Sequence, residues 1–322
     1  MDTSQLFTVE GMIAVVTGGG SGKSSSYHHL ISIPPSLLTP VLGIGLMIAH
    51  ALASAGASKV YILGRREDKL SAAASQHENI IPLQCDITSK ASLQAAVDFI
   101  TQDISYINLL VANSGIYGPP SSFMPGSSVK ELREHMFENT SMEDFTQTFH
   151  VNTTATYFTM LAFLELLDAG TKNAIAGGFG KPLKEGSNVP SIQSQVIITS
   201  SVGAFMREWQ CAPAYAGSKA AIMHLVKHTS TGLAPHGIRV NALAPGCSSP
   251  PPHKPTVPWL TVCQSSHLRW PTQLSTAETP VQRASTIRTS FLREGLAERR
   301  RWVGRCCILR VGREASAMGW CL

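Results

Sequence analysis

Cysteine is scarce in the first 246 residues of this 322-residue chain, which contain only Cys85 and Cys211. Two isolated cysteines without metal-ligand spacing argue against a disulfide scaffold and against a cysteine-rich metal site. Residues 1–5 also lack the basic and apolar segments of a signal peptide. We therefore expect a cytoplasmic protein of a reducing compartment, with no bound metal.

Long uninterrupted hydrophobic runs are lacking as well. The nearest approach is the almost uncharged stretch 37–57, which Pro40, Gly43, Gly45 and Gly56 interrupt. A membrane-spanning helix needs about 20 consecutive, predominantly apolar residues. We expect no membrane association, and the 43% of hydrophobic residues indicates a globular protein.

Residues 247–322 contain no Asp, Asn or Tyr, yet they hold five of the seven Cys and four of the five Trp. They carry 11 Lys and Arg against 4 Asp and Glu, whereas residues 1–246 carry 15 against 17, so the net charge of +5 arises in this tail. The abrupt change predicts one folded domain at 1–246 and an atypical, disordered basic tail.

Apolar, β-branched runs alternate with helical patterns between residues 12 and 243. Strands are predicted at 12–17, 59–63, 80–85, 108–112, 194–200 and 237–243. Helices are predicted at 44–56, 67–76, 90–102, 143–168 and 213–233. This alternation predicts an α/β fold, a doubly wound parallel sheet flanked by helices. The polar segments 119–141 and 170–195 are predicted as loops.

Tyr215 and Lys219 form a Tyr-x-x-x-Lys pair in the predicted helix 213–233, shortly after the doublet Ser200 and Ser201 at a strand end. A tyrosine with an ordinary pKa of about 10 is a poor acid or base at neutral pH. A lysine at i+4 places an ammonium beside the phenol and favours the phenolate. The pattern predicts carbonyl or alcohol redox chemistry, although alone it also fits an exposed helix pair.

Further motifs follow predicted strands along the chain. A glycine-rich turn at 17–22 follows the first strand and has the composition that lets a backbone approach a pyrophosphate. The other polar residues at or near the ends of apolar segments are Asp86, Asn113 and Asn152.

In this order the motifs resemble the short-chain dehydrogenase/reductase family, with its T-G-x-x-x-G-x-G, D-[IV], N-N-A-G, N, S and Y-x-x-x-K pattern. The resemblance covers roughly residues 8–246. Asn113 matches the second Asn of N-N-A-G, while Ala112 and Ser114 depart from that motif. The resemblance implies a Rossmann-like fold and an enzyme that transfers hydride between a nicotinamide cofactor and a carbonyl or alcohol.

The resemblance also implies the site residues. The catalytic residues would be Ser201, Tyr215, Lys219 and Asn152. Tyr215 would act as general acid or base, Lys219 would also hold the nicotinamide ribose, Ser201 would hydrogen-bond the carbonyl oxygen, and Asn152 would position a relay water. Ser201 is preferred to Ser200 because its distance from Tyr215 is nearer the usual spacing of the family.

Cofactor binding is expected to use the two glycine-rich turns, the strand ends and the catalytic pair. These residues are Gly18, Ser21, Gly22, Ile44, Gly45, Arg65, Asp86, Asn113, Tyr215 and Lys219. Arg65 follows the second strand, where a fold selective for NAD places an acidic residue, and a guanidinium favours a 2′-phosphate. We therefore expect NADP(H), with NAD(H) as the less favoured cofactor.

Two segments depart from the family. Deleting residues 23–43 joins Gly22 to Ile44 and restores the glycine motif, and Gly22-Lys23-Ser24 can be encoded with a splice-donor-like GTAAGT. Our hypothesis is a translated intron, with a real surface insertion as the alternative. Gly22-Lys23-Ser24 also resembles the end of a P-loop, but Thr17 stands where the first glycine is required.

Residues 247–322 differ from the family pattern more strongly than residues 23–43 do. Read one base earlier, Trp302-Val303 must encode Gly and Cys306-Cys307 must encode Leu, and permitted codons give text similar to the last helix and strand of the family. We hypothesise a frameshift from about residue 247, with chance agreement as the alternative, and therefore expect the last strand of the family's sheet to be missing or disordered. A segment translated out of frame has not been selected to bind a partner, so we expect no nucleic-acid binding despite the arginines of the tail.

The expected substrate is a small carbonyl or alcohol metabolite, with a role in secondary metabolism. Tyr117, Phe123, Met124, Met206 and Trp209 could line an apolar pocket, or belong to ordinary packing. The family resemblance implies a homo-oligomer. The alternative is a catalytically inactive product on the same scaffold, which does not bind cofactor productively.

Overall fold

The computed structural model describes residues 9–20, 43–119, 126–207 and 211–246. All of them belong to one compact unit. The strands are β1 Ile13–Thr17, β2 Lys59–Gly64, β3 Ile80–Gln84, β4 Leu109–Ala112, β5 Gln195–Thr199 and β6 Arg239–Leu243. The α-helices are α1 Ile44–Ser54, α2 Glu67–Ala74, α3 Lys90–Asp103, α4 Val129–Arg133, α5 Met142–Phe149, α6 Thr156–Ala162, α7 Leu164–Ile175 and α8 Pro213–Leu233.

The six strands form one parallel sheet in the order β3-β2-β1-β4-β5-β6. The predicted α/β fold with a doubly wound, Rossmann-like sheet is therefore confirmed. Parallel strands need crossover connections, and here helices supply them on both faces. The strand order reverses between β1 and β4, and an open sheet has its ligand crevice at such a point.

Alternate residues of each central strand enter two separate cores. Ile13 and Val15 of β1 pack in the cluster that contains α3, α6 and α8 residues, while Ala14 and Val16 pack in the cluster that contains α1 and α2 residues. Every residue of β1 is buried. Burial on both faces explains why the strand is continuously apolar rather than alternating.

The predicted loop 119–141 contains α4 and a π-helical turn at Glu134–Glu138, so this part of the loop prediction was wrong. A capping box joins Ser128 and Glu131: the Ser128 hydroxyl accepts from the Glu131 amide at 3.3 Å, and the Glu131 carboxylate accepts from the Ser128 amide at 2.7 Å. The Ser-x-x-Glu spacing could have revealed this helix, but its residues are not buried and give no apolar stripe.

The predicted helix 143–168 is interrupted and longer than expected. A π-helical segment, His150–Ala155, separates α5 from α6, and α7 continues to Ile175 into the predicted loop 170–195. A single widened turn leaves the chain helical on both sides, so a helix predicted from the sequence runs through it without a break. Such π segments occur frequently at functional sites.

Helix α1 approaches the end of β1 closely. A Cβ atom added at Gly45 would lie 2.5 Å from Asn113 Nδ2 and 2.7 Å from the Gly18 oxygen. Gly18 itself has a φ of +72°, a backbone conformation that other residues rarely adopt. Because Gly18 and Gly45 have no side chains, the first turn of α1 can pack directly against the ends of β1 and β4.

No helix among the described ranges is both long and apolar enough to span a membrane. Within the stretch 37–57, the described part forms α1, whose eleven residues end at Ser54.

A matched pair of glycine substitutions tests the close approach of α1. We expect Gly45→Ala to lower the free energy of unfolding by about 1–3 kcal/mol, because the new methyl group collides with backbone and the Asn113 amide. Gly232→Ala, in α8, meets no atom within 4 Å and should raise it by about 0.5–1 kcal/mol through helix propensity. Denaturant unfolding measures both, and equal effects would contradict the packing described.

Candidate active site

The carboxyl ends of the strands meet at one edge of the sheet. Thr17 ends β1, Ala112 ends β4 and Thr199 ends β5, and the three strands are neighbours in the order β1-β4-β5. The polar residues that the sequence singles out after these strands are therefore brought together around the point where the strand order reverses.

Asn113 links the ends of these three strands. Its amide N–H and that of Ser114 each donate to Thr17 Oγ1 at 3.0 Å, and Asn113 Nδ2 donates to the Thr17 oxygen at 3.2 Å. Its Oδ1 accepts from Thr199 Oγ1 at 3.2 Å. The side chain predicted to bind cofactor thus has a structural task, and Thr17 and Thr199 are partners that sequence reasoning missed.

The N-terminus of α1 faces the same edge. No side chain caps this helix at Gly43, and its first turn contains no acidic residue. The N–H groups of a first helical turn have no intrahelical partner and attract anions. Ile44 and Gly45 begin this helix and Gly18 lies against it. Their predicted role in binding phosphate stays a prediction, and Ser21 and Gly22 lie outside the described residues.

Lys219 is buried, with 4% of its surface exposed. Its ammonium donates to the Thr199 oxygen at 2.7 Å and lies 5.8 Å from the centroid of the Tyr215 ring. Burial lowers the pKa of Lys219 to about 8. At neutral pH the side chain is therefore mostly protonated, and it places a positive charge beside the Tyr215 ring in a poorly solvated site.

The two serines of the doublet have different environments. Ser200 donates to the Lys219 oxygen at 3.0 Å and so joins β5 to α8, whereas Ser201 Oγ accepts from the Gly203 amide at 3.0 Å. A Cβ added at Gly203 would lie 3.3 Å from Ser201 Oγ and 3.5 Å from Tyr215 Cε1. Ser201 and Tyr215 therefore flank the same glycine, while Ser200 points towards the backbone of α8.

Asn152 lies in the π-helical segment and is completely buried. Its Oδ1 accepts from the Ile116 amide at 2.8 Å, and its Nδ2 donates to the Ile116 oxygen at 2.8 Å and to Ser218 Oγ at 3.0 Å. Ser218 Oγ in turn donates to the Tyr215 oxygen at 2.8 Å. The Asn152 side chain thus positions the loop after β4 against the first turns of α8.

Gly115 completes this cluster and was not predicted. A Cβ there would lie 2.9 Å from Asn152 Oδ1 and 3.5 Å from Lys219 Nζ. Any side chain would therefore displace the Asn152 side chain and contact the Lys219 ammonium. The glycine of the Asn-x-Gly motif was the available sequence signal.

Arg65 follows β2 and Asp86 follows β3. These two strands lie on the far side of β1 from the catalytic cluster at β4 and β5. Arg65 is exposed, and its oxygen accepts from Gln84 Nε2 at 3.1 Å. The Asp86 carboxylate accepts from the Thr88 amide at 2.9 Å and the Thr88 hydroxyl at 2.8 Å. These bonds, with a smaller contribution from the Arg65 charge, hold the pKa of Asp86 below its usual range.

Of the five residues proposed to line an apolar pocket, Tyr117 and Met206 lie in the part of the chain that the structure describes. The Tyr117 ring packs on the Tyr215 ring, with centroids 5.1 Å apart, and Met206 is 40% exposed. Phe123, Met124 and Trp209 lie outside the described residues.

Comparison with known proteins identifies the family. The family model described as Enoyl-(Acyl carrier protein) reductase matches residues 41–254. The short-chain dehydrogenase/reductase SAT3 of Stachybotrys chartarum is 60% identical over 200 residues, which are 62% of this chain and 73% of SAT3. The short-chain dehydrogenase/reductase PhomF of Diaporthe leptostromiformis is 43% identical over 247 residues, which are 76% of this chain and 72% of PhomF.

A solved structure has the same fold. The crystal structure of a short-chain type dehydrogenase/reductase from Mycobacterium marinum aligns with a TM-score of 0.55 at 24% identity, over 76% of this chain and 78% of that protein. The sheet order, the sequence relatives and the family match agree, and the chain belongs to the short-chain dehydrogenase/reductase family of NAD(P)(H)-dependent oxidoreductases.

Proposed function

We propose that this protein interconverts a ketone or aldehyde and an alcohol on a small metabolite of secondary metabolism, with NADP(H) as its cofactor. The observation that carries the proposal is the buried ammonium of Lys219, held by the Thr199 oxygen beside the Tyr215 ring. A buried charge costs stability, so its position at the crevice of the sheet favours a catalytic rather than a structural role.

The side chains divide the acid-base work. Tyr215 exchanges a proton with the substrate oxygen, and the Lys219 ammonium stabilises the phenolate that results. Ser201 accepts from the Gly203 amide, which leaves its hydroxyl hydrogen to bind the same oxygen. Asn152 holds the loop after β4 and, through Ser218, the first turns of α8. A bound nicotinamide cofactor supplies or accepts the hydride.

The residues present fit such a cofactor. The uncapped N-terminus of α1, beginning at Ile44, suits a pyrophosphate, and Gly18 and Gly45 let this helix lie close to the ends of β1 and β4. Lys219 Nζ makes one hydrogen bond among the described residues, to the Thr199 oxygen, and an ammonium has three donors. The remaining donors suit the ribose hydroxyls near the nicotinamide.

The preference for NADP(H) rests on Arg65. This exposed residue follows β2, and its charge acts on Asp86 after β3, which we propose to bind the adenine. A guanidinium at this strand end would pair with a 2′-phosphate, whereas an acidic residue there would bind the free ribose hydroxyls.

The origin of the unusual segments remains a separate hypothesis. We propose that residues 23–43 are a translated intron and that the frame is lost from about residue 247. The family match beginning at residue 41 supports the first point, but residues 23–42 and 247–322 lie outside the described residues. The chain is further proposed to form a homo-oligomer.

The serine doublet gives a direct test of the activity. With NADPH and a panel of ketones and enones, Ser201→Ala should lower kcat/KM about 100-fold or more, because it removes a hydrogen bond to the reacting oxygen. Ser200→Ala should instead cost about 1 kcal/mol of stability by losing its bond to Lys219, with a smaller kinetic effect. Steady-state kinetics and denaturant unfolding separate the two.

Three outcomes would count against the proposal. Reduction of enones alone would indicate alkene reduction, and equal kinetic losses in the two variants would remove Ser201 from its assigned role. The third outcome is that the 322-residue chain shows no turnover, while a variant without residues 23–43 does. This result would identify the 322-residue chain as an inactive form of an active family member.

The buried ammonium also predicts a pH-dependent stability. Because the folded pKa of Lys219, about 8, is below its ordinary value of 10.5, the unfolded chain binds more protons between these pH values, and stability rises with pH across them. Lys219→Met removes the cost of burying the charge. We expect this variant to be more stable than the parent at pH 7 by about 1–3 kcal/mol.

This advantage should shrink as the pH rises from 8 towards 10.5. Lys227→Met, an exposed site on the same helix, is the matched control and should show no such trend. Urea unfolding at several pH values measures both variants. A Lys219→Met variant that is less stable than the parent at pH 7 would show that the ammonium stabilises the fold instead.

The cofactor preference can be reversed by one substitution. Arg65→Asp should lower kcat/KM for NADPH by about 10- to 100-fold relative to NADH, since it replaces a favourable charge by a repulsive one. Lys69→Asp, on the exposed face of α2, makes the same charge change away from the strand end. A shift of equal size in both variants would assign the preference to overall charge rather than to Arg65.

A further inference from the structure

Tyr215 lies in the first turn of α8, which begins at Pro213. The residue before this helix is Ala212, and no side chain of its own caps the helix there. The first turn of a helix has the fewest internal hydrogen bonds and is the part most prone to fray. Contacts from outside α8 therefore contribute to the orientation of the Tyr215 phenol, together with Lys219 of the same helix.

Tyr117 makes two such contacts. Its hydroxyl oxygen accepts from the Ala212 amide at 3.3 Å, which ties the residue before the helix to the loop after β4. Its ring lies against the Tyr215 ring with a centroid distance of 5.1 Å and an angle of 31° between the planes. One side chain thus contacts both the start of the helix and the phenol that it carries.

The loop that carries Tyr117 is itself fixed on both sides. Ile116 is held through its backbone N–H and C=O by Asn152. Gly118 has a φ of +81°, and the space of a side chain there is already occupied by Thr148. Because Thr148 belongs to α5 and Asn152 to the following π segment, Tyr117 extends from a rigid support rather than from a free loop.

We infer that Tyr117 is a positioning residue for the proposed reaction: it holds the Tyr215 phenol and the first turn of α8 in the orientation that proton transfer requires. The inference rests on the proposed function, since it assigns Tyr117 a task within the same site. The flat ring restricts rotation of the Tyr215 ring and excludes water from one of its faces. The hydroxyl of Tyr117 maintains the register of the helix start.

Two substitutions at Tyr117 separate the ring from the hydroxyl. Tyr117→Met fills a similar volume without a flat ring, and we expect kcat to fall about 10- to 100-fold with the NADPH dissociation constant changed less than about twofold, because misplacement of the acid affects the chemical step. Tyr117→Phe retains the ring and loses only the hydrogen bond to Ala212, so it should lower kcat by a smaller factor, about two- to fivefold. Tyr106→Met, a half-buried tyrosine before β4, is the matched control.

The pH dependence distinguishes positioning from loss of packing. In Tyr117→Met the pH midpoint of kcat should move by at least about half a unit, since the phenol gains water contact and mobility. Tyr106→Met should leave that midpoint in place. A Tyr117→Met variant with the kcat and pH midpoint of the control, or one that loses NADPH binding as strongly as kcat, would overturn the inference.

A second readout does not depend on turnover. Tyrosinate absorbance against pH, with Tyr215→Phe subtracted, reports ionisation of the Tyr215 phenol in the parent and in each Tyr117 variant. If the parent reduces no carbonyl compound but this titration changes in Tyr117→Met, the proposed function fails while the positioning stands. If the parent is active and neither titration nor kcat changes, the positioning fails alone. Should Tyr117→Met not fold, Tyr117→Leu takes its place with Tyr106→Leu as control: a lower kcat with a shifted titration retains the inference, and values equal to those of the control overturn it.

Discussion

The hydrogen bonds that join Thr17, Asn113 and Thr199 are the contact on which both halves of the candidate site depend. They connect the carboxyl ends of β1, β4 and β5 at the place where the strand order reverses. On one side of this connection, α1 packs closely against the end of β1 through Gly18 and Gly45. On the other, the Thr199 oxygen holds the ammonium of Lys219. A displacement of Asn113 would therefore change both the cofactor cradle and the acid-base pair.

The catalytic cluster combines costly and stabilising features. A buried ammonium is unfavourable, and burial lowers its pKa to about 8. Hydrogen bonds from Ser200 to Lys219 and from Asn152 to Ser218 fix the same part of α8 against β5 and the π segment. Such stiff support around an unfavourable charge is expected where a side chain must be held ready for chemistry. The stability of the scaffold offsets the cost of its active site.

Sequence patterns predicted most of the fold because its core strands are buried on both faces and therefore continuously apolar. The predicted bounds of β2, β3 and α8 agree with the structure to within a residue. The exceptions include α4, which has no buried face, and the π segment at His150–Ala155, where the chain stays helical on both sides of one widened turn. The π segment contains Asn152 and so belongs to the candidate site, where local rules are often broken.

The sequence by itself determined the family, the order of the motifs along the chain and the chemical types of the site residues. All three depend on residue identity and on spacing along the chain. The tertiary structure alone decided which partners those residues have. It distinguished Ser201, beside Tyr215 and Gly203, from Ser200, which bonds to α8. It also brought Tyr117 against Tyr215, 98 positions later in the chain. Contacts between distant segments arise only when the strands assemble, and spacing along the chain carries no record of them.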